Sequence, residues 1–172
     1  MKWLWKFAAD EQSLWTEVVT EKYGMEEKWT TKSVRTPYGV GVWKSIRNLW
    51  PKLINKSKFK VGNGRKISLW DDNWLGQRPL KDLFPGIYSL NQQQVTLHEA
   101  WTNQGWNLTF RRLLNDWEIE RVTDFYNTLE RFSGTNSNQD LIVWQRNRQG
   151  RLSVGSAYKE FNLSNDQDGC WP

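Results

Sequence analysis

At 172 residues and a net charge of +5, the chain is long enough for one compact domain or two small ones. Its single cysteine, Cys170, excludes an intramolecular disulfide and an all-cysteine zinc site. No apolar run approaches membrane-spanning length and no signal-peptide core follows Met1. An intracellular protein, nuclear or cytoplasmic and not secreted, is therefore expected, with no membrane partner.

Apolar residues make up only 38% of the chain, but 13 tryptophans, from Trp3 to Trp171, offer large buried areas for a core built on aromatics. They follow no fixed period, which argues against a repeat architecture. Charge is distributed unevenly. Residues 1–43 carry six basic and six acidic side chains, whereas residues 44–66 carry eight basic side chains and no acid. The cations are Lys44, Arg47, Lys52, Lys56, Lys58, Lys60, Arg65 and Lys66. A run of this kind is the electrostatic footprint expected of a polyanion contact.

In chain order, KWLWKFAADEQSLWTEVVTEKYG reads as one helix or two short ones. Trp3, Leu4 and Phe7 form its inward stripe, Leu14, Trp15, Val18 and Val19 continue it, and Gly24 is the C-terminal stop. MEEKWTTKSVRTPYGVG, with Pro37, Gly39 and Gly41, reads as a loop. GVWKSIRNLWPKLI reads as an amphipathic helix ended or kinked by Pro51. In FKVGNGRKISLWDDNW, residues 59–74, the apolar Phe59, Val61, Ile67 and Leu69 fall at odd positions and share one face of a β-ribbon. An Asn63-centred three-residue loop with Gly64 left-handed would pair Phe59 with Ile67 and Val61 with Arg65. A basic hairpin over about 56–70 is thus expected, with Lys58, Lys60 and Lys66 on its wet face.

Further on, 74–94 reads as mostly irregular, and Thr96 with Glu99 forms a capping box for a short helix. Asn115 and Glu118 open the clearest helix, whose stripe is Ile119, Val122, Phe125, Leu129 and Phe132. DLIVWQRNRQGRLSVGSAYKEF reads as strand, turn at Gly150, strand and helix, the helix capped by Ser153 or Ser156. The last residues read as a frayed tail. The fold class expected is α+β, short amphipathic helices with small antiparallel β-hairpins.

The chemistry-bearing residues point away from catalysis. Gly62 and Gly64 precede a strand-like run, not the helix that a phosphate loop requires. Asp71 and Asp72 resemble the paired aspartates of a polymerase palm, but no third carboxylate is available on an upstream strand. A turn with side-chain-to-backbone hydrogen bonds is the better reading. His98 is the only histidine, so no triad or zinc spacing can be built. Glu118, Glu120 and Asp124 read as the solvated face of a helix. No catalytic residue, metal ligand, cofactor or small-molecule substrate is indicated. The candidate site is a nucleic-acid interface made of the eight cations, with Trp70 and Trp74 as stacking platforms.

Several of these stretches together resemble the plant non-LTR (LINE-type) retrotransposon reverse transcriptases, in the part downstream of the polymerase domain. KWLWKFAADEQSLWTEVVTEKYG is similar to that family's post-polymerase helices. PYGVGVWKSI and FKVGNGRKISLWDDNWLGQRPLKDLFP are similar to its aromatic-rich "VGNG" and "W-D-x-W" block. NDWEIERV and VWQRNRQGRLSVGSAYKEF are similar to the entry into its zinc-binding region. The resemblance implies an interior piece, with residues 1–135 a post-polymerase connection and 136–172 a truncated zinc-binding-region entry. The family's catalytic aspartates and zinc ligands map onto no residue here. The function it implies is a noncatalytic fragment that binds RNA or DNA electrostatically, with weak sequence preference. An aromatic-rich protein-interaction or structural piece, or a nonfunctional pseudogene product, is the alternative.

Overall fold

The structure is a computed structural model that describes the chain except residues 10–12, 27, 34–40, 92–93 and 166–172, and except the side chains of 161–165. Its elements run α1 (Lys2–Ala9), α2 (Leu14–Tyr23), β1 (Met25–Glu26), β2 (Thr30–Thr31), α3 (Val42–Arg47), α4 (Trp50–Ile54) and β3 (Ser57–Lys60). They continue with α5 (Leu80–Leu83), α6 (Pro85–Leu90), α7 (Leu97–Ala100), β4 (Trp101–Thr102) and β5 (Gly105–Trp106). A 3-10 turn at Asp116–Glu118 leads into α8 (Ile119–Leu129), followed by β6 (Leu141–Trp144) and α9 (Val154–Asn165). The strands form two-stranded sheets, β1 with β2, β3 with β6 and β4 with β5, and the class is α+β as expected.

The chain divides into two compact units. Unit 1 comprises residues 1–58 and 142 onward; unit 2 comprises 59–141. The chain therefore leaves unit 1 along β3 and re-enters it along β6.

Unit 1 is held together by indoles. Phe7 of α1 packs against Trp15 and Trp43 at centroid distances of 6.0 and 5.3 Å, and Trp3 meets Trp15 edge-on at 5.4 Å. Such edge-to-face pairs add to the area term. The Trp43 indole N–H donates to Thr31 Oγ at 2.9 Å, so the ring is buried without an orphaned donor. Trp5 meets Trp144 of β6 edge-on, at 6.4 Å. Gly24 ends α2 with φ +69°, as expected. The expected stripe on α2 is displaced, because Leu14 and Val18 are 80% and 63% exposed while Thr16 is buried and bonded to Ser13 O. Residues 25–31, read as loop, contain the β1–β2 ladder, whose turn holds Lys28 at φ +57°. Pro37 and Gly39 lie outside the described residues. Pro51 divides its segment into two helices and sits in the first turn of α4, where its missing N–H costs nothing.

In unit 2 the core is Trp70, Phe125, Leu69, Ile67, Leu97 and Leu129, all fully buried. Trp70 stacks on Phe125 at 5.3 Å with the ring planes 10° apart, and its N–H donates to Asn91 Oδ1. Both expected capping boxes are present, Thr96 with Glu99 and Asn115 with Glu118. A second aromatic group joins Trp74, Trp101, Trp106 and Phe132. The α8 stripe holds at Phe125 and Leu129 but not at Ile119, which is 54% exposed. The 3-10 turn before it advances only three residues per turn and rotates the start of the stripe out of phase.

The basic hairpin expected over 56–70 does not form. β3 pairs with β6, and Ser68 bridges to Thr96 antiparallel. Near the other end of the chain, β6 turns at Gly150 (φ +67°), but 151–153 form no second strand and lead straight into α9, with Ser153 Oγ accepting from Ser156 N.

Candidate nucleic-acid interface

The loop after β3 is built around a carboxylate. Gly62 N and Gly64 N both donate to Asp140 Oδ1, at 2.8 and 2.9 Å, and Lys66 N donates to Oδ2 at 2.9 Å. Alternate backbone amides thus converge on one anion, a nest of the kind that elsewhere holds free anions. Asp140 is 5% exposed, and its charge is met by these three donors. Glycine is needed twice. A Cβ on Gly62 would lie 2.3 Å from the Asn138 carbonyl oxygen, and Gly64 has φ +70° with a Cβ position 2.9 Å from His98 N. Asn136 N donates to Gly62 O and His98 N to Gly64 O, which locks the loop from both sides. The VGNG run is a socket for an internal side chain, and no hairpin turn.

The paired aspartates that follow are occupied locally, as read from the sequence. Asp72 Oδ2 accepts from Ser68 N at 2.7 Å. Asp71 accepts from Ser68 Oγ and forms an ion pair with Lys81 at 2.8 Å, and this hydrogen bond to Asp71 is the leading cause holding the Lys81 amine above its ordinary range.

The eight expected cations are divided between the units. In unit 1, Lys44 is half-buried on α3, and Lys52 is exposed on α4. Arg47 is buried, donating to Thr31 O at 2.5 Å and to Glu26 at 2.7 Å, so it braces β1–β2 instead of facing solvent. Lys56 and Arg146 both pair with Glu160, at 2.8 Å each, and these two, Lys56 foremost, hold the Glu160 carboxyl below the usual carboxylate range. Lys58, half-buried on β3, ends the unit. In unit 2, Lys60 and Arg65 are exposed. The Lys66 amine is half-buried, and burial pushes it down against the opposing pull of Asp140.

Of the two tryptophans expected as stacking platforms, Trp70 is corrected. It is fully buried against Phe125 and presents no face to a base. Trp74 is half-buried, its N–H donating to Leu69 O at 2.9 Å and its ring meeting Phe132 edge-on. The indole that unit 2 does expose is Trp117, at 71%, on the 3-10 turn before α8. Glu118 also departs from its expected solvated face. It is buried and held by Arg112 through two hydrogen bonds of 2.8 and 2.9 Å. Arg112 first, and the Asn115 amide second, hold its carboxyl below the usual range. His98 is exposed, and Cys170 lies outside the described residues.

Asp140 and Trp117 were both missed from the sequence. Asp140 follows a polar loop with no sign that its partners lie 74 to 78 residues upstream. Trp117 carried a usable signal, since it sits two residues after the Asn115 cap and off the apolar stripe.

The comparisons with known proteins are sparse. No family model matches the chain, and no solved structure matches it. The chain is 25% identical over 167 residues to a plant protein named "Putative ribonuclease H protein", from Arabidopsis thaliana. The match takes in 92% of this chain and 26% of that protein, so the chain spans about a quarter of the relative's length. No helix among the described residues is long and apolar enough to cross a membrane.

Proposed function

We propose that this chain is a noncatalytic, nucleic-acid-binding segment of a retroelement-derived protein, of the plant non-LTR reverse-transcriptase kind. The observation that carries the reading is the acid-free run of eight cations over 44–66, of which Lys52, Lys60 and Arg65 are exposed. The likeness to a plant protein named for ribonuclease H supports it, because such a name refers to work on nucleic acid. The partner is RNA or DNA, held through phosphates with weak sequence preference, and the setting is nuclear or cytoplasmic. The intact chain is to be titrated against a fluorescent single-stranded RNA over a range of salt, beside a Lys52→Glu, Lys58→Glu, Lys60→Glu variant. That variant spares the ion-paired Arg47 and Lys56. Phosphate contacts by Lys52, Lys58 and Lys60 contribute a log–log salt slope of roughly −2, at about −0.7 per contact, and the variant should lose that share. Salt-indifferent binding, or equal binding by the variant, rejects the reading.

A second reading, a structural or protein-interaction segment, is favoured by one observation. Arg47 and Lys56 are committed to internal pairs, which makes part of the basic run scaffolding.

A further inference from the structure

Unit 2 carries a cavity that neither the basic run nor the loop around Asp140 accounts for. It has a volume of about 240 Å³ and is lined by Leu83, Phe84, Gly86 and Ile87 on one side and by Arg121 and Asp124 of α8 on the other. Arg121 and Asp124, three residues apart, share one face of α8, and Trp117 stands on the 3-10 turn that leads into that helix. Among the described residues, Arg121 has no ion-pair partner and neither does the Asp124 carboxylate, in contrast to Arg112, which is spent on Glu118. Gly86 has open space around its Cβ position, and Leu83 is 40% exposed at the rim, so the cavity is accessible from solvent.

We infer that this cavity takes one unpaired guanine base of a single-stranded nucleic acid, with the neighbouring base stacked on Trp117. The chemistry selects the ligand. An ionised carboxylate only accepts hydrogen bonds and a guanidinium only donates them. The ligand must therefore present donors to Asp124 and an acceptor to Arg121 from one planar body small enough for the space. Guanine does so, with N1–H and the N2 amino group as adjacent donors and O6 and N7 as acceptors. Uracil offers the carboxylate a single ring donor, and cytosine and adenine offer it one amino group each, so guanine alone meets both carboxylate oxygens with adjacent donors. Phe84 and Ile87 supply the apolar floor. The exposed Trp117 indole matches the sequence-tolerant stacking surface that single strands use. The inference goes beyond the phosphate-binding reading, because it adds base discrimination at a site distinct from residues 44–66.

The test uses the whole chain and three labelled 12-mers at one fixed salt concentration: all-uridine, the same with one central guanosine, and the same with inosine there. The guanosine strand should bind about tenfold tighter than all-uridine, the low end for one bidentate base contact. Inosine, which lacks the amino donor, should lose most of that preference. Asp124→Asn should abolish the preference while the chain keeps its circular dichroism, and Trp117→Ala should weaken all three strands alike. The Lys52, Lys58, Lys60 variant should lower every affinity and leave the guanosine preference intact, which separates this site from the basic run. In a second arm, guanosine 5′-monophosphate at millimolar concentration should shift the Arg121 Nε and Trp117 indole resonances, whether or not the longer strands bind. Equal affinity for the three strands, a preference that survives Asp124→Asn, or unshifted resonances overturns the inference.

Discussion

Asp140→Ala is the most informative single change, because three backbone donors depend on one carboxylate. Gly62 N, Gly64 N and Lys66 N lie 2.8 to 2.9 Å from its oxygens, and neither glycine nor Asp140 is open to solvent. Each hydrogen bond to a charged group contributes about 1.5–3 kcal/mol net. The three share one carboxylate, and water entering the space left by Ala would recover part of the loss. The expected destabilisation is therefore about 3–5 kcal/mol, well short of the simple total. Asp140→Asn should cost about 2 kcal/mol, since its oxygen can still serve both glycines while its NH2 confronts the Lys66 N–H donor to donor. Urea unfolding gives the magnitude, and amide hydrogen exchange at 62, 64 and 66 gives the location. A loss below about 1 kcal/mol for Asp140→Ala, with exchange at those amides unchanged, would refute the argument that the carboxylate organises the loop.

Other substitutions probe the same physics elsewhere. Gly62→Ala should cost about 3 kcal/mol or more, because the Cβ meets backbone oxygens at 2.3 and 2.5 Å that cannot swing aside; thermal unfolding reads it directly. Trp70→Ala should cost about 3–5 kcal/mol by urea unfolding, as an indole fully buried against Phe125. Trp117→Ala, at 71% exposure, should stay within about 0.5 kcal/mol of the parent in the same assay. Glu118 supplies a pH signature. Its folded carboxyl lies below the usual value of about 4.3, so the stability it contributes is present above that pH and is lost as pH falls through the depressed value. The stability difference between the parent chain and Glu118→Gln should be flat above about pH 5 and shrink below about pH 4; a difference that grows on acidification would contradict the Arg112 pairing.

What could be read in the sequence were features decided within a turn or two of chain. The capping boxes at Thr96 and Asn115, the stop at Gly24 and the break at Pro51 each depend on neighbours a few residues away, and each is present. The loop at 62–66 could not be read so. Odd-numbered apolar residues around an Asn-Gly turn satisfy every local rule for a hairpin, and both β6 and Asp140, more than 70 residues later, override them. The buried position of Trp70 has the same origin, for its partner Phe125 lies on a distant helix. Charge was legible as composition but not as availability. Nothing near Arg47 in the sequence reveals that Thr31 and Glu26 claim it.

The division of the chain also sets an order of events during synthesis. All of unit 2 emerges from the ribosome between the two parts of unit 1. At about 5–20 residues per second, Trp5 waits on the order of 4–17 s after β3 is made before Trp144 exists to pack against it. Over that interval the residues of unit 2 are being made, Asp140 arriving to close the socket only at its end, while Trp5 of α1 lacks its partner in β6. A chain ending shortly after residue 141 and released from the ribosome should thus hold a protected unit 2 and a protease-sensitive segment 1–58.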